Sequence, residues 1–475
     1  MTDMKMDHNN RIPEIEYISL SIHLMWSGDR RLDGETYLMP GFLYRHEIET
    51  ATDYVPLSDL ADVWQPSRLK GIQVSADKGL PFLTATQVFD IRPMPRKWIS
   101  ASKTPNLDQR YVEPGWILVT CSGTVGDAII SYKPHTGIVV SHDLLRVVPR
   151  KEGLTGYLYA FLRTRYGREL MRASRYGNII KHLEPEHLQQ VPVPLLGDEV
   201  LEVELQSLIK QVFVLRDEAY WLLIEAERRF EAELGHPDEP EPEDGYTIQA
   251  SSMFSKSRRL DGYAFNPTAK VALKVLQISK QKIEPLSEVV EDIFGVPRFK
   301  HVYNDKGIPY LDSEDLFKIN PELTKFIPHT AKKNAKSYYV KKGWLLMACS
   351  GQLYGLNGSV ILANEWHEHK IVSNHVIRII PGGVRSGYLQ IALGHPTLGQ
   401  PLVLRCAFGT SVPEIPPEEI RLFPVIRLDE SVENEIADMV ERASELRLKA
   451  DEIENRAIAN LEQEIAKAIK QRGMI

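Results

Sequence analysis

Residues 79–91 read GLPFLTATQVFDI and residues 307–319 read GIPYLDSEDLFKI. Apolar residues occupy the same places in both runs, 228 positions apart, and the correspondence extends outward in both directions. Upstream, Arg30-Arg31-Leu32-Asp33-Gly34 returns as Arg258-Arg259-Leu260-Asp261-Gly262, and Pro56-Leu57-Ser58 as Pro285-Leu286-Ser287. Downstream, Gly115-Trp116, opening GWILVTCSGTVG, returns as Gly343-Trp344, opening GWLLMACSGQLYG. Val140-Ser141 then returns as Val372-Ser373, Gly156-Tyr157-Leu158 as Gly387-Tyr388-Leu389, and Pro192-Val193 as Pro424-Val425. The offset drifts only from 228 to 232, so the copies differ by short loop insertions. The 475 residues are two diverged copies of one module, each long enough to bury its own core.

Each copy ends in a helical pattern. Leu201, Leu205, Leu208, Val212, Leu215, Ala219, Leu222 and Ala226 are spaced alternately by four and three, an a/d stripe. Val432, Ile436, Met439, Ala443, Leu446, Ala450, Ile453 and Ala457 repeat that spacing 231 residues on. Two such helices bury their stripes most economically against each other, with Leu208, Leu215 and Leu222 facing Met439, Leu446 and Ile453. The alternative is that each packs on its own globule. A helix of about 36 residues is roughly 54 Å long, longer than a small domain is wide.

Between the copies, residues 236–245 read HPDEPEPEDG, a Pro-rich acidic run that can be neither helix nor strand and reads as a linker. The expected boundaries are a first globule over 1–198, a first spacer helix over 199–235, the linker over 236–250, a second globule over 251–429 and a second spacer helix over 430–475. The segment before Arg30 is longer than the repeat requires. Within a module, the apolar runs at 116–120, 128–132 and 144–148 predict short strands, and 154–174 predicts helix. The predicted fold class is α+β, with two pseudo-twofold-related globules separated by two long antiparallel coiled-coil helices.

At 43% hydrophobic and 25% charged, the composition is that of a soluble globular protein. No run of about 18 apolar residues occurs and the first eleven residues are polar, so the expectation is a cytoplasmic chain without membrane contact. Cys121, Cys349 and Cys406 make neither a disulfide framework nor a zinc site, and no metal is expected.

The net charge of −7 argues against a nucleic-acid partner until its distribution is read. Residues 63–183 hold 18 Lys and Arg against 8 Asp and Glu, and residues 295–412 hold 14 against 7. Each globule is a cation and the connecting frame an anion. The local field of a face, not the total, is what neutralises phosphates. Candidate DNA-contacting residues in the first module are Arg68, Lys70, Arg92, Arg96, Lys97, Ser122, Thr124, Arg175, Tyr176, Asn178 and Lys181. In the second they are Arg298, Lys300, His301, Lys332, Lys333, Lys336, Ser350, Gln352 and Tyr354. Arg and Lys can read guanine, Asn and Gln can read adenine, and surplus cations bind phosphate.

Four features, in this order and twice over, resemble the specificity subunits of type I restriction-modification systems. They are Arg-Leu-Asp-Gly followed by an aromatic and a proline (Tyr37, Pro40; Tyr263, Pro267), the Gly-x-Pro-aromatic strand (Gly79 to Phe82; Gly307 to Tyr310), the Gly-Trp run ending in a Ser-Gly turn (Ser122, Gly123, Gly126; Ser350, Gly351, Gly355), and a Pro-Val stretch before a long helix. The resemblance spans nearly the whole chain. It implies two target-recognition domains, each reading half of a bipartite, asymmetric double-stranded DNA site. It also implies antiparallel helices that dock DNA methyltransferase subunits, two in number, and a restriction or translocase subunit. S-adenosylmethionine and ATP are then expected only on those partner subunits. One departure is Gln352-Leu353-Tyr354-Gly355 in place of Thr124-Val125-Gly126, which should give the two turns different surfaces.

No feature reads as catalytic. Ser122 to Gly126 lacks the Gly-Lys-Ser/Thr ending of a phosphate loop and reads as a tight turn between strands. Trp116 and Trp344 read as core, Cys121 and Cys349 as small buried residues, and Trp366 to His369 as a solvated loop. Asp33 and Asp261 read as caps or braces acting through the adjacent Arg. The competing class is a protein-interaction scaffold of a defence complex whose positive charge is incidental.

Overall fold

The computed structural model describes residues 37–174, 182–236, 247–254, 259, 261–298, 302–328 and 338–472. The core of the first module is an antiparallel sheet with strand order Ala61–Trp64, Leu144–Pro149, Ile117–Thr120, Ala128–Ile130. The second repeats it as Val290–Phe294, Val376–Pro381, Leu345–Ala348, Val360–Leu362. Strand alternation builds the layers. Ile117 and Val119 face the helices, while Leu118 faces a smaller sheet with Leu83 and Val140. Leu345 and Met347, against Leu346 and Ala348, divide in the same way. The repeated runs at 79 and 307 supply strands of the smaller sheets, Leu80–Leu83 and Ile308–Leu311, each parallel to a short strand, Val139–Val140 or Ile371–Val372.

The helical stretch after the central sheet is two helices, Thr155–Arg163 and Arg165–Ala173, divided at Thr164, whose hydroxyl accepts from Gly167 N at 3.1 Å. Each module is closed by a two-stranded ribbon, Asp53–Pro56 with Pro192–Leu195 and Lys282–Pro285 with Pro424–Arg427, that feeds a long helix. The equivalent hydroxyls of Tyr157 and Tyr388 donate to Pro194 O and Ile426 O on those ribbons, at 2.6 and 2.5 Å.

The long helices run Glu199–Leu234 and Glu430–Arg472 and lie antiparallel, as the cross-helix pairs Asn460–Glu204, Arg216–Asp451 and Arg229–Glu435 require. Both readings of the stripes hold together: the helices pair with each other, and each half of the hairpin also completes one module's core. Leu201 to Val212 join Ala450 to Ile465 in the first core, and Ala219 to Phe230 join Val432 to Leu446 in the second. Leu208, Leu446 and Ile453 are buried; Leu215, Leu222 and Met439 are only partly so, and Arg216, Leu223 and Val440 lie deeper. A straight helix drifts about 20° per heptad against a 3.5 repeat, and in the first helix the seam moves one residue on after Val212, to Arg216 and Leu223. Gly156 and Gly387 let the modules approach this hairpin. A Cβ on Gly156 would lie 2.5 Å from Gln206 Cα, and one on Gly387 2.6 Å from Ala437 O.

Candidate nucleic-acid interface

One pole of each central sheet gathers the diverged loops. In the first module, Cys121 N donates to Asp143 O (3.2 Å), Leu183 N to Cys121 O (3.0 Å) and Gln65 Nε2 to His142 O (2.7 Å). This draws the ends of three strands and the segment at His182 together. Ser122 Oγ lies 3.4 Å from His182 Nδ1. The second module repeats the plan: Cys349 N donates to His375 O (3.0 Å) and Ile415 N to Cys349 O (2.8 Å), with Ser350 bridged to Glu414.

The turns between the strands differ more than the sequence suggests. Gly126, at φ 90°, donates to Thr120 O at 3.0 Å; its counterpart is Gly358, at φ 80°, donating to Ala348 O at 2.7 Å. Gly355 instead closes a local turn on Gln352 O at 2.9 Å. The second turn is therefore four residues longer than the first, not one, because the left-handed closure falls on Gly358. It raises Tyr354 to 67% exposure, and Gln352 Nε2 donates to Ser411 O at 3.0 Å. Each Ser-Gly turn borders a cleft whose other wall comes from the other module. Thr124 faces Asp312 and Lys325 across about 320 Å³, and Tyr354 faces Arg92 and Arg96 across about 260 Å³.

The candidate cations divide into two groups. Arg68 and Lys70 are exposed on a loop held by the buried Arg110, which donates to Pro105 O (3.1 Å) and Ser67 O (2.9 Å). Arg68 lies near enough to His142 to help burial lower that ring's pKa. Thr124 is exposed, Lys97 half-buried on its strand, and Arg298 exposed but paired with Glu414 at 2.8 Å. Arg92 and Arg96 turn inward, to Glu227 of the first long helix and to Asp90 at 3.3 Å. Arg175, Tyr176, Asn178, Lys181, Lys300, His301, Lys332, Lys333 and Lys336 lie outside the described residues.

Much of the modules' positive charge grips the acidic frame. Arg165 pairs with Glu462 (3.3 Å), Arg385 with Asp438 and Glu441 (2.7 Å each), and Arg427 with Glu433 (2.8 Å). Arg168 and Arg172 reach across to Glu322 of the second module, both at 2.8 Å. The equivalent Arg146 and Arg378 are fully buried in the sheets and donate to main-chain carbonyls; burial lowers their pKa values to about 9 and about 10. Their matching positions in both copies were the only signal the sequence held of this role.

The structure assembles a second group that no motif announced. Glu454, wholly buried, accepts from Arg216 at 2.9 and 3.2 Å, from the Tyr159 hydroxyl and from the Asn320 amide, with Arg163 at 3.8 Å. Arg163 also donates to Asn320 O at 3.0 Å. Both helices and both modules meet there. Burial raises the Glu454 pKa, but Arg216 and Arg163 outweigh it and hold the carboxyl at about 2.

Burial pushes the Cys121 and Cys349 thiols up to about 12. Among the described residues, no cluster of His, Cys, Asp and Glu gathers to hold a metal. Nor is any described helix long and apolar enough to cross a membrane. His367 is buried and not solvated as its charged neighbours implied: its Nδ1 accepts from Asn364 N at 3.1 Å, as buried His135 does from Tyr132 N at 3.2 Å. Trp116 and Trp344 pack against Trp64 and Phe294, with centroids 6.0 Å apart in each pair. Asp261 braces its module, paired to Arg259 and accepting from Ala264 N at 3.3 Å, while Arg259 donates to Arg405 O at 2.7 Å. Asp33 lies outside the described residues.

Among solved structures, the chain resembles specificity subunits of type I restriction-modification systems. The S subunit of M. genitalium is 12% identical at a TM-score of 0.29, over 89% of this chain and 96% of that one. The HsdS subunit of Thermoanaerobacter tengcongensis is 12% identical at 0.25, over 88% and 96%. A chain from a structure titled for the complex assembly and conformational transition of the type I R-M system is 13% identical at 0.26, over 88% and 97%. No family model matches the chain, and no curated protein does.

Proposed function

We propose that this chain is the non-catalytic DNA-recognition subunit of a type I-like restriction-modification or methylation-linked defence complex. It reads a bipartite, asymmetric duplex site and docks methyltransferase subunits on its helix hairpin. The observation that carries the reading is the pair of equivalent loop poles, set on modules related by an internal pseudo-twofold axis but bearing different turns, Ser122–Gly126 against Ser350–Gly358. Two related faces with unlike side chains suit two half-sites of unlike sequence. Arg68, Lys70 and Thr124 at one pole, and Gln352 and Tyr354 at the other, are the exposed groups available for bases and phosphates. Methyl donor and nucleotide belong to the partners in this reading, and the complex works in the cytoplasm.

One observation favours the competing scaffold reading: the frame already neutralises many of the module arginines. Salt dependence separates the two. Selection of bound duplexes from a randomised pool, by the chain alone and with a methyltransferase subunit, should yield one bipartite motif. Affinity should fall steeply between 50 and 200 mM salt, as about 6–10 phosphate contacts require. Charge reversal at Arg68 and Lys70 should weaken binding. A shallow salt slope with no enriched motif refutes DNA recognition.

A further inference from the structure

The two modules touch directly, through equivalent residues. Ile91 N donates to Phe317 O at 2.7 Å and Ile319 N donates to Phe89 O at 2.8 Å, the reciprocal pattern of a self-complementary contact about a twofold axis. Asp90 and Lys318, equivalent in the repeat, face each other between those bonds. The side chains exchange as well. Ile319 joins the first module's core, which holds Leu118 and Leu144, and Ile91, partly buried, packs against that core and against the second module's, which holds Leu346 and Val376. The next residue on each side ties the contact to the frame: Arg92 pairs with Glu227, and Asn320 bonds Glu454 and, at 3.0 Å, Asn455. Sliding one module past the other would break two main-chain bonds and unpack two isoleucines.

We infer that this reciprocal bridge, acting with the helix hairpin, holds the distance and rotation between the two DNA-reading faces to one value. Ile91, Ile319 and Asn320 thereby keep the number of base pairs between the half-sites to a single value. The inference rests on the recognition reading above. Long helices curve with radii of about 60–100 Å, so a hairpin alone is a soft ruler. A displacement of about 3.4 Å equals one base pair, and the bridge at the axis removes that freedom.

Two opposite variants test it, each assayed by sequencing the sites selected from a randomised duplex pool. Ile91→Pro with Ile319→Pro deletes both reciprocal donors. The preceding residues already have the extended backbone that a following proline demands, with Asp90 at φ −65°, ψ 141° and Lys318 at φ −88°, ψ 146°. Asp90→Cys with Lys318→Cys locks the contact, because opposed residues of a non-hydrogen-bonded antiparallel pair lie about 4.5 Å apart at Cα, within disulfide reach. The parent and the oxidised cysteine pair should select one and the same gap. The proline pair should select the same half-site motifs over two or more gap lengths. A folded proline pair that keeps the single parental gap overturns the inference. So does an oxidised cysteine pair that loses a selection which reduction restores, and this arm decides the matter if the proline pair does not fold. A parent chain that selects no bipartite site overturns the recognition reading and the inference with it.

Discussion

Replacing Glu454 by Gln keeps the side chain's shape and removes its charge at the point where both helices and both modules meet. The carboxylate is wholly buried and holds Arg216 at 2.9 and 3.2 Å and Arg163 at 3.8 Å. Without it, Arg216 retains only Asp451, at 2.8 Å, and Arg163 faces no other acid within salt-bridge range among the described residues. Removing one partner of a buried ion pair costs about 3–5 kcal/mol, because the remaining charge stays desolvated and unpaired. If one module with its half of the hairpin unfolds as a unit, that corresponds to a loss of roughly 10 °C in Tm. Urea and thermal unfolding of Glu454→Gln at pH 7 measure it. Glu454→Leu combined with Arg216→Met should recover only part of the loss, since it removes the pair but leaves Arg163 and Asp451 without their partners. The folded pKa of about 2 lies below the unfolded carboxylate value, so this contribution is complete above about pH 4.3 and is lost only as pH falls towards 2. The deficit should be constant from about pH 7 to 8, above the Asp451 carboxyl, which burial and Glu454 raise to about 6. A Glu454→Gln protein within 1 kcal/mol of the parent would falsify the view that this carboxylate clamps the four parts.

Asp at Leu446, which is 2% exposed in the seam, should cost several kcal/mol in chemical unfolding. Asp at the partly buried Leu215 should cost far less, and equal effects would contradict the drift of the seam. Gly156→Ala and Gly387→Ala press a methyl group against helix backbone and should each cost about 1–3 kcal/mol; differential scanning calorimetry checks this. Burial raises the Asp90 carboxyl, despite Arg96, to about 7. Its folded pKa exceeds the unfolded value, so the folded chain binds the extra proton, and this stability is present below about pH 4 and lost as pH rises through about 7. Asp90's share of the fall in stability from pH 5 to pH 8, read from urea unfolding, should be up to about 3 kcal/mol. Asp90→Asn should flatten that fall, and parallel curves for the two proteins would rule the assignment out.

The duplication, the class of fold and the long helices were legible because period and repetition are local. A run of alternating apolar residues is a strand wherever it lies, and the spacing of Leu201 to Ala226 is helical in any context. The second turn was misread for an equally physical reason. Gly355 and Gly358 are alike in sequence, and only the closure onto Ala348 O decides which of them takes the left-handed conformation. The charge reading stops at position, because sequence reports where cations are, not what they face. Arg92 and Arg96 looked like a DNA-reading loop, and the fold gives them Glu227 and Asp90.

By itself, then, the sequence determined two modules, two amphipathic helices and a basic–acidic division between them, all properties of residues near one another in the chain. Tertiary structure alone decided how the parts join. Asp90 meets Lys318, Arg216 meets Glu454, and Arg172 meets Glu322, pairs 150 to 238 residues apart. Such contacts follow from the packing of whole modules about an axis that exists only once both have folded. An isolated stretch such as 89–91 carries no mark of being an interface, because the Ile91 amide and the Phe89 carbonyl find their partners only across that axis.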